Sequence, residues 1–184
     1  MRVPGFRRIP AEPDLKLRFL MKRFPCVGAM LLVLPLLMGF QGKIYDFRLK
    51  DLNRKEVSFS EVMGKNLTVL DFWATWCQPC VRSIPRLVAL SKEFETRGVN
   101  FVGISVDSPR NFSKVKPFAA SLGITYPVLM DPSGELMGEL NVFAVPTLLI
   151  VDTNMNIVYT HEGFNAGDET IIRKEIEKYL AKDP

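Results

Sequence analysis

Residues 77–80 read Cys-Gln-Pro-Cys, and the segment before them, Val69-Leu-Asp-Phe-Trp-Ala-Thr-Trp76, is an apolar run of strand character. Two cysteines three apart at a strand-to-helix junction can close a disulfide within one helical turn. The unpaired N–H groups of the helix start favour a thiolate on the first sulfur. The pair is therefore equipped for thiol–disulfide exchange, with Cys77 as the exposed nucleophile and Cys80, one turn further in, as the thiol that resolves the mixed disulfide. Pro79 is tolerated because its missing N–H falls in the first turn. Half a zinc site and an inert bridge are the other uses of such a pair. Zinc needs two further ligands, and outside the motif the soft or imidazole donors are only Cys26 and His161. Neither a metal nor a cofactor is expected.

Three more positions bear on this chemistry. Asp71 stands six residues before Cys77, among Val69, Leu70, Phe72 and Trp73. Desolvation in an apolar strand raises a carboxyl pKa, so Asp71 can take and return the proton of Cys80; an acid facing solvent at a strand end is the alternative. Trp76 is expected to be partly exposed beside Cys77, with Trp73 packed near it. Pro146, in Ala144-Val-Pro-Thr147, precedes an apolar strand, a place where proline needs no special role. His161, the single histidine, reads as a surface or edge residue. Asp152-Thr-Asn-Met-Asn156 imitates the opening of a calcium loop. Ile157 and Gly163 occupy the positions that need glycine and glutamate, so a hairpin turn is expected.

The elements that must position these residues alternate between strand and helix patterns, which predicts an α/β domain around a central sheet. Phe47–Leu49 and Val57–Phe59 suggest a hairpin around the polar stretch 50–56. Leu67–Trp73 is a core strand, followed by a helix from about Cys80 to Thr96, with Pro85 inside it and Gly98 as its stop. Val99–Val106 is a strand. A helix capped by Asn111 runs to about Leu122, and Pro127–Met130 is a short strand. A helical piece over 135–140, strands at 147–151 and 157–161, and a helix over 168–180 complete the chain.

Charge divides the chain in two. Residues 1–42 carry seven Lys/Arg against two acids, whereas residues 43–184 carry 17 against 18. The near-neutral larger part excludes the basic stripe of a nucleic-acid binder. In the leader, Met21-Lys-Arg23 precedes an uncharged apolar run over residues 24–40, the grammar of a secretory signal or a signal anchor. Residues 1–42 are therefore expected to be a leader that places the domain of residues 43–184 on the extracytoplasmic or periplasmic side, anchored to the membrane or released. Met21 is a second plausible start. Cys26 reads as an inert thiol within the apolar segment. An exported chain with only one other cysteine pair points to a catalytic dithiol rather than a disulfide framework.

Asp71-Phe-Trp-Ala-Thr-Trp-Cys-Gln-Pro-Cys80 with Val145-Pro-Thr147 resembles the thioredoxin superfamily. Tyr45–Leu52, Val57–Ser60 and Gly64-Lys65 resemble the N-terminal extension of its exported TlpA/ResA-like branch. The likeness spans residues 43–182. It implies a thioredoxin fold, with a central four- or five-stranded mixed sheet flanked by helices and an N-terminal β extension. It also implies attack by Cys77, resolution by Cys80, a cis Pro146, and a Val145 backbone that pairs with bound peptide. The implied activity is thiol–disulfide exchange on protein or peptide disulfides, with cytochrome c maturation as the branch's characteristic task; reduction is the direction expected here, although the residues themselves do not set it. A membrane or thioredoxin-like electron donor would re-reduce the pair. Ser83 stands where some ResA-like proteins carry glutamate, Gly103 where thioredoxin has lysine, and Asp71 agrees with thioredoxin. The proton-handling groups thus lie nearer to thioredoxin. Two further readings are weighed. A peroxiredoxin-like peroxidase needs Pro-x-x-x-Thr-x-x-Cys, which the residues before Cys77 do not supply. A copper-delivery or metal-binding module typically has Cys-x-x-x-Cys with a distal histidine, whereas the spacing here is two.

Overall fold

The computed structural model describes residues 42–182; the leader, its apolar run and Cys26 lie outside the described residues. Seven strands form one sheet: β1 (Arg48–Asp51), β2 (Glu56–Ser58), β3 (Leu67–Trp73), β4 (Val99–Ser105), β5 (Val128–Met130), β6 (Thr147–Asp152) and β7 (Ile157–Glu162). Their order is β2-β1-β5-β4-β3-β6-β7. The parallel strands β3, β4 and β5 form its centre, and β6, β7 and the hairpin β1–β2 extend it through antiparallel pairs. The five strands β3–β7 are the sheet that the resemblance implied, and the N-terminal hairpin continues that sheet through β5. Among the described residues five α-helices flank the sheet: α1 (Phe59–Val62), α2 (Gln78–Phe94), α3 (Phe112–Ser121), α4 (Glu135–Glu139) and α5 (Asp168–Leu180).

Alternation along the strands sorts the core into two sides. Leu70 and Phe72 of β3, Val102 and Ile104 of β4, and Leu149 and Val151 of β6 pack with Phe47, Phe59, Leu136 and Leu140. On the other face, Leu67 and Val69 meet Leu87, Leu90 and Phe94 of α2 and Ile172 and Ile176 of α5. Trp73 packs there with Cys77, Cys80, Ile84, and Val115 of α3. Asp71 has the same parity as Val69 and Trp73 and so belongs to this α2 face. All seven residues of β3 are buried, as expected of a strand covered on both faces.

The structure departs from the sequence reading at the helix starts. Phe59 opens the helix α1 instead of closing a strand, because Ser58 directs both its N–H and its hydroxyl to Glu61 Oε1, at 3.1 and 2.9 Å. That local pattern of a serine three residues before a glutamate outweighs the short apolar alternation. Helix α2 begins at Gln78, with Cys77 itself as its N-cap. The turn that follows it ends at Gly98 in the left-handed region, φ 73°. At the approach to β3, Gly64 donates to Thr68 Oγ1 at 3.0 Å. A Cβ on Gly64 would lie 2.0 Å from the Leu67 carbonyl oxygen and 2.7 Å from the Asn100 nitrogen. Both are backbone atoms of the central strand pair and cannot step aside. Gly64→Ala is therefore expected to cost about 2–3 kcal/mol in denaturant unfolding. An unchanged midpoint would show that the β3–β4 edge tolerates displacement.

Candidate active site

The site lies at the end of the sheet where β3 and β4 finish and β6 begins. Phe72 pairs with Thr147 and Trp73 with Ser105, so residues 74–77, 106–107 and 143–146 all leave the sheet at one edge. Cys77 is extended, at φ −87° and ψ 101°, and its Sγ accepts the N–H of Cys80 at 3.2 Å. It is joined to Cys80 by a disulfide, with Cα atoms 5.3 Å apart. A sulfur in the N-cap position takes an N–H that the helix leaves unpaired, and it sits at the positive end of the helix dipole. That arrangement stabilises a thiolate on Cys77 rather than on Cys80. Cys77 was expected to be exposed, yet it retains only 4 % of its surface, and Cys80 retains none. The neighbouring Trp76 is 62 % exposed, and Phe143, in the loop that enters β6, is 82 % exposed.

Asp107 holds this loop in place. It is fully buried, and its carboxylate accepts from Thr75 N–H at 2.8 Å, Thr75 Oγ1 at 2.6 Å and Ser105 Oγ at 3.0 Å. The residue just before Trp76 is thus clamped to the end of β4. No local pattern around Asp107 signals this role; its link to Thr75, 32 positions away, arises from strand register. Asp107→Ala leaves three donors without their acceptor and should cost about 2–4 kcal/mol, measured as a lowered denaturation midpoint. Asp107→Asn should retain part of that loss because one oxygen remains.

The Val145–Pro146 peptide is cis. Val145 packs against the cluster that contains both cysteines, and among the described residues its backbone makes no hydrogen bond. The Pro146 carbonyl accepts from Gly163 N–H at 2.8 Å, which ties the loop to the end of β7. The lone histidine is not a free surface group. Its Nε2 lies 3.0 Å from Asp168 Oδ2 and its Nδ1 3.2 Å from Tyr159 OH, which pins β7 to the start of α5. The Asp152 loop is the expected hairpin turn: Oδ1 accepts from Asn154 and Asn156 N–H at 2.9 and 2.8 Å. Among the described residues no three His, Cys, Asp or Glu side chains are grouped to hold a metal ion.

Asp71 is 1 % exposed, and neither of its carboxylate oxygens has a hydrogen-bond partner. Burial alone pushes its carboxyl up to about 7. An unfolded aspartate titrates near 4. Between those values the native state holds a proton that the unfolded chain has lost, so stability falls as pH rises from about 4 to about 7 and is level beyond. The total loss is about 4 kcal/mol at most. Asp71→Asn keeps the volume and removes the titration. The stability difference between D71N and the parent, both oxidised, should shift in favour of D71N by up to that amount between pH 4 and pH 8. A difference constant across that range would show that Asp71 titrates normally in the native state.

Comparison with known proteins agrees with this geometry. The sequence matches the AhpC/TSA family over residues 41–160. It is 31% identical over 135 residues to the thiol-disulfide oxidoreductase ResA of Geobacillus kaustophilus, a match covering 73% of this chain and 72% of that protein. It is 33% identical over 142 residues to the thioredoxin-like protein YneN of Bacillus subtilis, covering 75% and 76%. A crystal structure of a thiol:disulfide interchange protein of the thioredoxin family from Chlorobium tepidum superposes with a TM-score of 0.64 at 26% identity, covering 77% of this chain and 98% of that one.

Proposed function

The chain belongs to the AhpC/TSA family, and from that premise we propose that it reduces disulfides of extracytoplasmic proteins through the Cys77–Cys80 dithiol. It is a thiol–disulfide oxidoreductase with a thioredoxin-like fold, as its likeness to ResA and to the thioredoxin-family interchange protein supports. The observation that carries the reading is the sulfur of Cys77 at the N-cap of α2, accepting the Cys80 N–H, on the same sheet face as a partnerless buried acid.

The Cys77 thiolate attacks one sulfur of the substrate disulfide. A mixed disulfide forms and the first substrate thiolate leaves. Cys80 gives its proton to Asp71 and attacks the Cys77 sulfur. The second substrate thiolate leaves and takes up the proton. Two electrons pass to the substrate, and the enzyme is left with the disulfide present in this structure. An extended substrate segment pairs with the free Val145 backbone, while Trp76 offers it an apolar wall. A membrane or thioredoxin-like dithiol donor restores the reduced pair.

Two observations support the extracytoplasmic placement: the basic flank and apolar run of the leader, and the likeness to ResA. Among the described residues no helix is long and apolar enough to cross a membrane. Cytochrome c maturation, the task implied by the ResA-like branch, draws no support from residues of this site: Ser83 stands where some members of that branch carry glutamate, and Asp71 agrees with thioredoxin. Protein disulfides at large are the substrate class that the site supports. The peroxidase reading would need a proline and a threonine seven and three residues before the nucleophile. Those positions hold Leu70 and Ala74, both fully buried.

Reduction of insulin by the domain of residues 43–184, supplied with a dithiol donor, tests the activity. With Cys80→Ala, a mixed disulfide to Cys77 should accumulate. With Cys77→Ala, neither trapping nor turnover should remain. Equal trapping by both variants would overturn the assignment of roles.

A further inference from the structure

Asp71 is not alone in lacking a partner. Among the described residues the buried side-chain polar atoms without a hydrogen bond are its two oxygens, Trp73 Nε1 and the Tyr126 hydroxyl. These groups converge around one point of the sheet. Asp71 is the registered neighbour of Gly103 on β4. A Cβ on Gly103 would lie 2.9 Å from Trp73 Nε1 and 3.5 Å from Tyr126 Cε2. Gly103 N–H donates to the Pro127 carbonyl at 2.9 Å, which holds Tyr126 against this spot. The charge of Asp71 also acts on Tyr126, adding to the burial that raises the phenol well above its ordinary value.

We propose that Tyr126 is a positioning residue for Asp71, its hydroxyl being the donor that supports the Asp71 carboxylate each time the proton of Cys80 is taken up and released. Buried polar groups without partners are rare, and two unpartnered donors gathered beside one unpartnered acid call for a common explanation. An acid in an apolar strand needs a donor while it carries charge. The buried titratable groups on this face are Cys77 and Cys80, once reduced, and Tyr126; Lys92 and Glu95 stand at one cleft that Tyr126 lines, and Asp51, Lys55 and Glu61 at the other. The flanking strand neighbours Gly103 and Leu148 carry none, nor do Ser83, Ile84 and Leu87 of α2, Val115 and Ala119 of α3, or Ile172 and Ile176 of α5. The Trp73 indole can only donate. A phenol both donates and accepts, and Tyr126 also reaches the surface. It lines two open clefts of about 500 and 440 Å³, one beside Lys92 and Thr125, the other beside Leu52 and Lys55.

This inference rests on the reading of Asp71 as the proton acceptor for Cys80, and the test separates the two. The pH dependence of mixed-disulfide resolution would be measured by rapid mixing for the parent, Y126F, D71N and the double variant. Asp71 titration in the oxidised protein would be followed by ¹³C NMR of its carboxyl. Loss of a donor to a charged acceptor should raise the Asp71 midpoint by about one pH unit in Y126F. With a parent midpoint of about 7, resolution at pH 7 should slow about fivefold, and the rate at high pH should be unchanged. In the D71N background Y126F should have no effect. A W73F variant should leave the midpoint in place. The inference is overturned if Y126F leaves the Asp71 midpoint unmoved, if Y126F slows resolution equally with and without Asp71, or if W73F moves the midpoint instead. A parental pH profile in D71N would overturn the Asp71 assignment itself.

Discussion

Cys77 has to satisfy two backbones at once. It is the last extended residue of the chain leaving β3, and its sulfur fills the N-cap of α2. Most of the site follows from that junction. The helix can direct its unpaired N–H groups at the sulfur only if Ala74–Trp76 takes a fixed path off the sheet. Asp107 imposes that path through Thr75. The register of Trp73 with Ser105 sets where Asp107 can reach. A thiolate at this position is stabilised by geometry that two strands and a helix build together, with no charged neighbour required.

Asp71 shows the opposite economy. The central strand buries all seven of its residues, and six of them add to the core or to its hydrogen bonding. The seventh is an acid that loses hydration and gains nothing in return within the oxidised structure. Under the proposed mechanism its role is proton exchange with Cys80. A carboxyl raised to about 7 can accept a proton from a thiol and return it near neutral pH, which an ordinary aspartate cannot do. The same desolvation that raises the Asp71 carboxyl also makes the fold less stable as pH rises.

Strand and helix positions were largely legible because their signals are local. The apolar run Leu67–Trp73, the Gly98 stop and the turn residues of 152–156 each specify conformation within a few neighbours, and the structure follows them. The short helix at Phe59 was misread because a serine–glutamate pair three apart outweighed two alternating apolar residues. Cys77 was expected to be exposed. Val145, which packs against the cluster that holds both cysteines, comes from nearly seventy residues away in the chain.

The sequence by itself determined the chemistry on offer: a dithiol at a helix start, an acid in an apolar strand, and a Val-Pro-Thr segment later in the chain. Those are statements about residue type and short-range spacing. Only the tertiary structure decided which groups face one another. Gly103 beside Asp71, Tyr126 against Gly103, Asp107 on Thr75 and His161 on Asp168 all depend on strand register or on loops packed across it. Register is a collective property, since a shift by one residue would turn every side chain of a strand to the opposite face. Short-range spacing therefore names the reacting atoms, whereas the partners that tune them emerge only when the sheet closes.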